Sequence, residues 1–258
     1  MLTKTEIKYY ASLLTKKARI SENKFLVEGP KLITEAIESG FDCDLIVFTP
    51  LFEKESLSRY SKLFRNARRL ECIKSQDFVK LTDTKSPQEV VAFFSNKKSF
   101  SEKHNTNYVV ALENINDPGN LGSIFRSSDW FGINKIIMNS ECAEVFNPKV
   151  IRASAGSVFH VSTERVKNFY DHLVEIKNSG YKVMCADLDG ENIFERKKED
   201  KIILAFANEA NGPSPDLLKI TYVKINIPRV GKAESLNVSN ACAIILSQIT
   251  NPAVSKLY

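Results

Sequence analysis

The stretch that decides the fold is residues 114–126, NINDPGNLGSIFR, which lies between an apolar run and a helical pattern. The run at 108–112 predicts a strand, and Asp-Pro-Gly at 117–119 is typical of a tight turn. Asn120 can cap the helix that follows. Polar groups are thus gathered where a strand ends, which is where open α/β sheets bind ligands. Such turns also join ordinary strands and helices, so this stretch alone leaves a purely structural role equally open.

Two later segments repeat the arrangement of a strand, a polar turn and a helix. They are residues 202–214, IILAFANEANGPS, and residues 221–241, TYVKINIPRVGKAESLNVSNA. With the first stretch, and in this order, they resemble the three motifs of the SpoU/TrmH family of RNA 2′-O-ribose methyltransferases, in the SPOUT superfamily. The likeness runs from Tyr108 to about Thr250. It includes residues 147–156, which resemble the connecting helix of that family.

Composition is that of a globular protein, with 43% hydrophobic and 26% charged residues in 258. No apolar run approaches the roughly 20 residues that cross a bilayer, and the first ten residues are charged. We therefore expect no membrane segment and a cytoplasmic location. The five cysteines are odd in number and widely spaced, without a Cys-x-x-Cys pair. This pattern predicts reduced core residues and no metal site.

The net charge of +5 falls entirely within residues 1–100, which carry 18 basic and 13 acidic side chains. The densest basic patches contain Lys16, Lys17 and Arg19, and residues 65–69. Such clusters are typical of phosphate-binding surfaces, although an ordinary solvated surface is the alternative. We predict that Lys16, Lys17 and Arg19 bind RNA.

We predict two α/β domains: an RNA substrate-binding domain at 1–97 and a methyltransferase domain at 108–258, joined by a polar linker at 98–107. The first resembles the substrate-binding domain of many SpoU-family rRNA methyltransferases. Apolar runs alternate with helical patterns in the second, which predicts a mostly parallel sheet covered on both faces. The predicted strands are 25–27, 45–48, 90–94, 108–112, 135–138, 181–186, 202–206 and 221–227. The resemblance implies a deep trefoil knot and a homodimer with the apolar helix 236–248 near its interface.

The resemblance also implies S-adenosylmethionine as cofactor. No Gly-rich fingerprint follows any strand, so an ordinary dinucleotide-binding mode is disfavoured. In the family, backbone in the knot loops lines the cofactor pocket. The corresponding residues here are Ala207, Asn208, Glu209, Ile227 and Leu236.

The catalytic residues implied by the resemblance are Arg126, Asn120, Glu209, Ser235 and Asn237. Arg126 matches the arginine placed against the target ribose and phosphate, either as a phosphate-assisted general base or as an electrostatic anchor, because a guanidinium loses its proton reluctantly. Asn120 can orient Arg126 or the nucleophile, and Glu209 can accept hydrogen bonds near the cofactor. Ser235 and Asn237 can face the site or cap the last helix.

Two residues depart from the family pattern. Ala207 stands where glycine is usual, and its Cβ could crowd the cofactor or disfavour a positive φ. Arg229 replaces an apolar residue, which adds either a phosphate contact or a solvated charge.

The leading hypothesis is S-adenosylmethionine-dependent methylation of a ribose 2′-hydroxyl, with rRNA favoured over tRNA by the extra N-terminal domain. The alternatives are an RNA-binding protein that keeps the fold without methylating, an unrelated α/β enzyme with a nucleotide cofactor, and an antibiotic-resistance methyltransferase.

Overall fold

The computed structural model describes residues 2–96 and 107–250. These residues form two compact units: residues 2–96 with Glu144–Phe159, and residues 107–143 with residues 160–250. Residues 144–159 thus belong to the N-terminal unit, although both their flanks in the chain belong to the other. The predicted linker, residues 98–107, lies outside the described residues except for Asn107.

The N-terminal unit is built on a four-stranded sheet in the order β1-β4-β2-β3. Its strands are β1 (Lys24–Glu28), β2 (Asp42–Phe48), β3 (Leu70–Cys72) and β4 (Val90–Ser95). β4 is antiparallel to both neighbours, and β3 is parallel to β2. Three of these strands were predicted from their apolar runs. β3 was missed because an edge strand of three residues, with none fully buried, has no such run.

Six of the helices assigned to this unit come from residues 2–96, and one comes from later in the chain. They are α1 (Lys4–Ser12), α2 (Lys16–Glu22), α3 (Pro30–Glu38), α4 (Pro50–Glu55), α5 (Leu57–Phe64), α6 (Ser75–Phe78) and α8 (Pro148–Ser154). Segment 144–159 is packed into the aromatic core, where the ring of Phe146 stacks on Phe25 at 4.3 Å. The stacking of these two rings explains why this segment belongs to the N-terminal unit.

The C-terminal unit is a six-stranded, all-parallel sheet in the order β10-β8-β9-β5-β6-β7. Its strands are β5 (Tyr108–Glu113), β6 (Lys135–Met138), β7 (Ser162–Arg165), β8 (Lys182–Asn192), β9 (Ile202–Ala207) and β10 (Val223–Asn226). The parallel α/β sheet predicted for this half is therefore confirmed. β7 was missed because Ser-Thr-Glu-Arg on a sheet edge has no apolar alternation.

Helices cover both faces of this sheet. They are α7 (Pro118–Trp130), α9 (Phe169–Asn178), α10 (Pro215–Ile220) and α11 (Val238–Thr250). Side chains of α9 and α10 pack with Val109, Ala111 and Ile203 of one face. On the opposite face Val110 and Leu204 are also buried, and α11 contacts β9 and α7. The carboxyl ends of all six strands consequently lie at one edge, which collects the loops that carry the motifs.

β8 runs six residues beyond its predicted end at Ala186, through Asp187-Leu188-Asp189-Gly190. β10 pairs with it in two parts, and the register shifts between them: Lys224 is opposite Cys185, whereas Ile225 is opposite Glu191. A Cβ on Gly190 would lie 2.4 Å from the carbonyl carbon of Ile225, so only glycine lets these two backbones approach so closely.

Candidate active site

Side chains from all three motifs meet in a chain of hydrogen bonds at the carboxyl edge of the parallel sheet. Asn237 Nδ2 donates to Asn120 Oδ1 at 2.8 Å, and Asn120 Nδ2 donates to Glu209 Oε1 at 3.3 Å. The backbone N–H of Val238 donates to the same Glu209 oxygen at 2.7 Å. We call Asn237, Asn120 and Glu209 the motif triad. It ties the loops after β5, β9 and β10 to one another.

The first turn of α7 is capped by Asp117 rather than by Asn120. Asp117 has extended backbone, its Oδ1 accepts from the N–H of Asn120 at 2.8 Å, and Pro118 occupies the first helical position. The prediction that Asn120 caps this helix was therefore wrong. Because Asp117 satisfies the free N–H, the amide of Asn120 is left to join the motif triad.

Asn237 caps α11 and also joins the motif triad. Its Oδ1 accepts from the N–H of Ser239 at 2.9 Å, which caps α11, while its Nδ2 reaches Asn120. Ser235 is exposed and lies on the wall of the adjacent cavity, and no hydrogen bond joins it to another described residue. Its hydroxyl is available to a ligand.

Beside the motif triad lies a cavity of about 490 Å³, a size typical of small-molecule sites. All five residues predicted to contact the cofactor line it: Ala207, Asn208, Glu209, Ile227 and Leu236. Ala207 ends β9 without a positive φ, so the predicted backbone strain at this departure from glycine is absent. Its Cβ narrows the cavity by one methyl group at most.

The floor of the cavity is apolar, and most of the charged side chains on its walls are acidic. Ile225 and Ile245 are buried beneath it, whereas the charged residues on its walls are Asp187, Glu209, Glu234 and Arg229. Although burial alone would raise it, the pKa of Asp187 lies below its ordinary value because Lys224 donates to this carboxylate at 3.0 Å. The excess of carboxylates favours a ligand with positive charge.

Arg229 is on the cavity wall, and its Nη1 donates to the carbonyl of Ala233 at 3.1 Å. This bond crosses the loop that leads from β10 to α11. The residue therefore has a local structural role in addition to the two considered from the sequence.

Sequence reasoning missed Asn226 and the far half of β8. Asn226 Nδ2 donates to the carbonyls of Gly190 at 2.7 Å and Leu188 at 3.3 Å, which ties β10 to β8. Its Oδ1 is buried without a hydrogen-bond partner among the described residues, although Asn226 lines the cavity. A buried acceptor of this kind is suited to a ligand donor. The only hint in the sequence was a polar residue inside an apolar strand.

Glu113 braces the second motif loop from the end of β5. Its buried carboxylate accepts from the Ser214 N–H at 2.9 Å and from the Tyr170 hydroxyl at 2.6 Å. Burial, followed by this bond to a carboxylate, raises the pKa of Tyr170, so its hydroxyl remains a donor. Ser214 in turn caps α10, and the loop between Ala207 and Ser214 is held at both ends.

Arg126 lies on α7 and is exposed. Among the described residues it has neither an ion pair nor a hydrogen bond, and it does not line the cavity. Of the five predicted catalytic residues, Glu209 and Ser235 line the cavity, and Asn120 and Asn237 are joined to Glu209 by hydrogen bonds. Arg126 lies about one and two-thirds turns after Asn120 on α7.

The three predicted RNA-binding residues of the N-terminal unit differ in exposure. Lys16 and Lys17 are exposed on α2. Arg19 is only 4% exposed, and its guanidinium donates to the carbonyls of Leu13 and Leu14 and to Glu144 Oε2 at 2.7 Å. A guanidinium with these partners cannot reach a phosphate, which corrects the prediction for Arg19.

The second predicted basic patch is also partly neutralised. Arg68 pairs with Asp42 and Arg69 with Glu6, and Arg65 alone remains exposed without a described partner.

Within residues 2–96 and 107–250, no group of three or more histidine, cysteine or acidic side chains is arranged to hold a metal ion. Over the same residues, no helix combines the length and the apolar character needed to cross a bilayer. All five cysteines are free thiols.

Comparisons with known proteins agree with this architecture. The SpoU rRNA Methylase family matches residues 107–247, and the MRM3-like substrate binding domain matches residues 4–92. The 23S rRNA (guanosine(2553)-2′-O)-methyltransferase RlmP of Bacillus subtilis is 30% identical over 246 residues, 93% of this chain and 94% of that protein.

Two solved structures resemble the whole chain. The SpoU methyltransferase AviRb from Streptomyces viridochromogenes, in complex with AdoMet, has a TM-score of 0.86 at 25% identity, covering 98% of this chain and 99% of its own. The AdoMet-bound rRNA methyltransferase from Sinorhizobium meliloti has a TM-score of 0.81 at 28% identity, covering 96% and 95%. The protein therefore belongs to the SpoU rRNA methylase family, which confirms the membership predicted from its three motifs.

Proposed function

We propose that this protein transfers a methyl group from S-adenosylmethionine to the 2′-hydroxyl of a ribose in ribosomal RNA. The observation that carries the proposal is the motif triad: three polar residues from three separate loops are hydrogen-bonded at the rim of a ligand-sized cavity. Two relatives that match more than nine-tenths of this chain are named 23S rRNA 2′-O-methyltransferases.

The cavity fits the cofactor in chemistry as well as in size. Ile225, Ile227 and Leu236 offer apolar surface for an adenine ring, and the orphan Oδ1 of Asn226 offers an acceptor. The acidic walls favour the positive sulfonium. Bound there, S-adenosylmethionine would supply an electrophilic methyl group.

The chain itself has to hold the ribose and stabilise the charge that develops on its oxygen. We assign Arg126 to the ribose and the adjoining phosphate, since it is exposed and without a described partner, and a guanidinium matches phosphate geometry. Asn120, Glu209 and Asn237 hold the loops in position, and Ser235 lines the cavity. In this assignment Arg126 acts on the nucleophile and the motif triad shapes the place where it reacts.

The N-terminal unit supplies RNA affinity through Lys16, Lys17 and other exposed cations. We infer that the protein is a homodimer, because α11 buries Cys242, Ile245 and Leu246 on one side and leaves Ala243 and Ile244 only half-buried on the other. We also infer a trefoil knot, supported by the close passage of β10 against Gly190, and a cytoplasmic location, where free thiols stay reduced.

The test is a methylation assay with labelled S-adenosylmethionine and rRNA from cells that lack the gene. We expect label at one ribose, mapped by its resistance to alkaline cleavage, and none with rRNA from parent cells, which is already modified. Cofactor binding by calorimetry without methylation of any rRNA or tRNA would instead support an RNA-binding protein that has kept the fold.

A further inference from the structure

Trp130 is 85% exposed at the last turn of α7, the most exposed large aromatic side chain among the described residues. It is also the single tryptophan of the chain. No ring contact, cation–π contact or hydrogen bond joins its side chain to another described residue. Tryptophan is enriched at interfaces, and a ring this exposed is available to a binding partner.

Trp130 continues a stripe of α7 that begins at the motif. Gly119, Ser123, Arg126 and Trp130 are spaced i, i+4, i+7 and i+11, which places them on one line along the helix. None of the four is buried, whereas Leu121, Ile124 and Phe125, on the opposite face of the helix, are buried. We call these four residues the α7 stripe.

Arg126 and Trp130 are one turn apart on this stripe, so their Cβ atoms are roughly 6 Å from each other. A cation and a ring at this separation match the two parts of a nucleotide, its phosphate and its base. Because the two small residues before them, Gly119 and Ser123, leave room above the helix, the surface is open toward the motif end.

The composition of the α7 stripe favours RNA over a second copy of the chain as its binding partner. A protein interface needs a cluster of apolar side chains at its centre, over about 800 Å² per partner. Trp130 is the one large apolar residue of α7 that is exposed in the described chain. The other residues of the α7 stripe are an arginine without a described partner, a serine and a glycine. Positive charge with a single flat ring favours a single-stranded nucleic acid.

We propose that Trp130 stacks on an unpaired base of the RNA substrate, next to the nucleotide whose ribose and phosphate contact Arg126. This inference rests on the proposed RNA methylation and deepens it. It implies a substrate site in a loop or bulge, because a base in a regular helix is not available for stacking on a side chain.

The single tryptophan allows a direct test, since all tryptophan emission reports on position 130. An unmodified bacterial 23S rRNA transcript is added to the full-length protein in the presence of S-adenosylhomocysteine. We expect emission to be quenched in proportion to the RNA bound, as measured in parallel by filter retention. Without RNA, emission should not change with protein concentration. A blue shift on concentration would overturn the proposal in favour of a second copy of the chain.

Variants measure the contribution of the ring. Trp130→Ala should raise KM for the transcript roughly 5- to 100-fold, as expected for one lost base–aromatic stack, while Trp130→Phe recovers most of it. Calorimetric affinity for S-adenosylmethionine should stay the same in both. Phe194→Ala removes another exposed ring, 51% accessible and outside α7, and should leave KM unchanged.

The outcomes separate this inference from the proposed function. If the parent protein methylates the transcript with unchanged emission, or Trp130→Ala keeps the parent KM, stacking is overturned and the methyltransferase stands. If the parent protein neither binds nor methylates the transcript, both are overturned.

Discussion

Asn237 and Asn120, 117 residues apart in the chain, are joined by a hydrogen bond of 2.8 Å from the amide of one to the carbonyl oxygen of the other. Asn237 also caps α11 through Ser239. Asn237→Asp keeps the capping acceptor and removes the donor. We expect its thermal unfolding to match that of the parent while kcat/KM for RNA falls, because only the link to Asn120 is lost.

A double-mutant cycle with Asn120→Ala and Asn237→Ala measures this link directly. The coupling free energy in kcat/KM should be about 1 kcal/mol or more, as for other side chains in contact. Additive effects would show that the two amides act independently.

Arg126→Ala should abolish methylation while leaving cofactor affinity intact, because the guanidinium does not line the cavity. The loss of one transition-state contact costs about 3 kcal/mol, roughly a hundredfold in rate. Arg126→Lys retains the charge without the planar fork. Substantial activity in the lysine variant would indicate simple anchoring, and near-total loss would indicate bidentate geometry.

The matched control is Lys219→Ala, which removes an exposed cation from α10. Its rate should equal that of the parent. Single-turnover kinetics and calorimetry provide the two measurements, and a parental rate in Arg126→Ala would refute the assignment of this residue.

Gly190→Ala should destabilise the C-terminal unit and weaken cofactor binding. The new Cβ would lie 2.4–2.6 Å from three backbone atoms of Ile225, which cannot move without shifting the adjoining cavity wall. Overpacking of this kind costs about 1–3 kcal/mol. Gly231→Ala, where nothing lies within 4 Å, should leave the free energy of unfolding unchanged in urea titrations. Equal stability of the two variants would contradict the close passage of β10.

Lys16 and Lys17 should differ from Arg19 in what their removal affects. The double variant Lys16→Ala/Lys17→Ala loses two exposed charges, so the slope of RNA affinity against salt concentration should become shallower by up to about two at unchanged stability. Arg19→Ala leaves Glu144 and two carbonyls without their donor and should lower the melting temperature instead. An unchanged salt slope in the lysine variant would mean that these charges are merely solvated.

Glu89 has a left-handed φ of 60°, and its Oε2 is buried without a hydrogen-bond partner among the described residues. Glu89→Gly should stabilise the protein by about 1 kcal/mol, because glycine adopts this conformation without strain and the carboxylate is no longer buried. Asn23→Gly is the control: its φ of 50° suits asparagine, whose Nδ2 donates to the carbonyl of Asn96 at 2.9 Å. This control should show no gain in denaturant titrations. A destabilised Glu89→Gly would indicate that the longer side chain contributes packing.

Local sequence was sufficient for the strands that carry the motifs, since apolar runs such as Ile202–Ala207 must be buried and polar turns must follow them. That Asn120, Glu209 and Asn237 belong to one site was implied by the resemblance to the SpoU/TrmH motifs and not by local sequence. Local sequence misjudged β8, because Asp-Leu-Asp-Gly at 187–190 has the composition of a turn.

What the sequence by itself determined is therefore the family, the order of strand, turn and helix, and the residue types around the cavity. The tertiary structure alone decided which residues form contacts with distant parts of the chain and which remain accessible. Glu144, 125 residues away from Arg19, binds its guanidinium and keeps it from solvent. Pairing with β10 continues β8 past Gly190 to Asn192. In both cases the partner is distant in the chain, and local propensity contains no information about contacts that form only after the chain has folded.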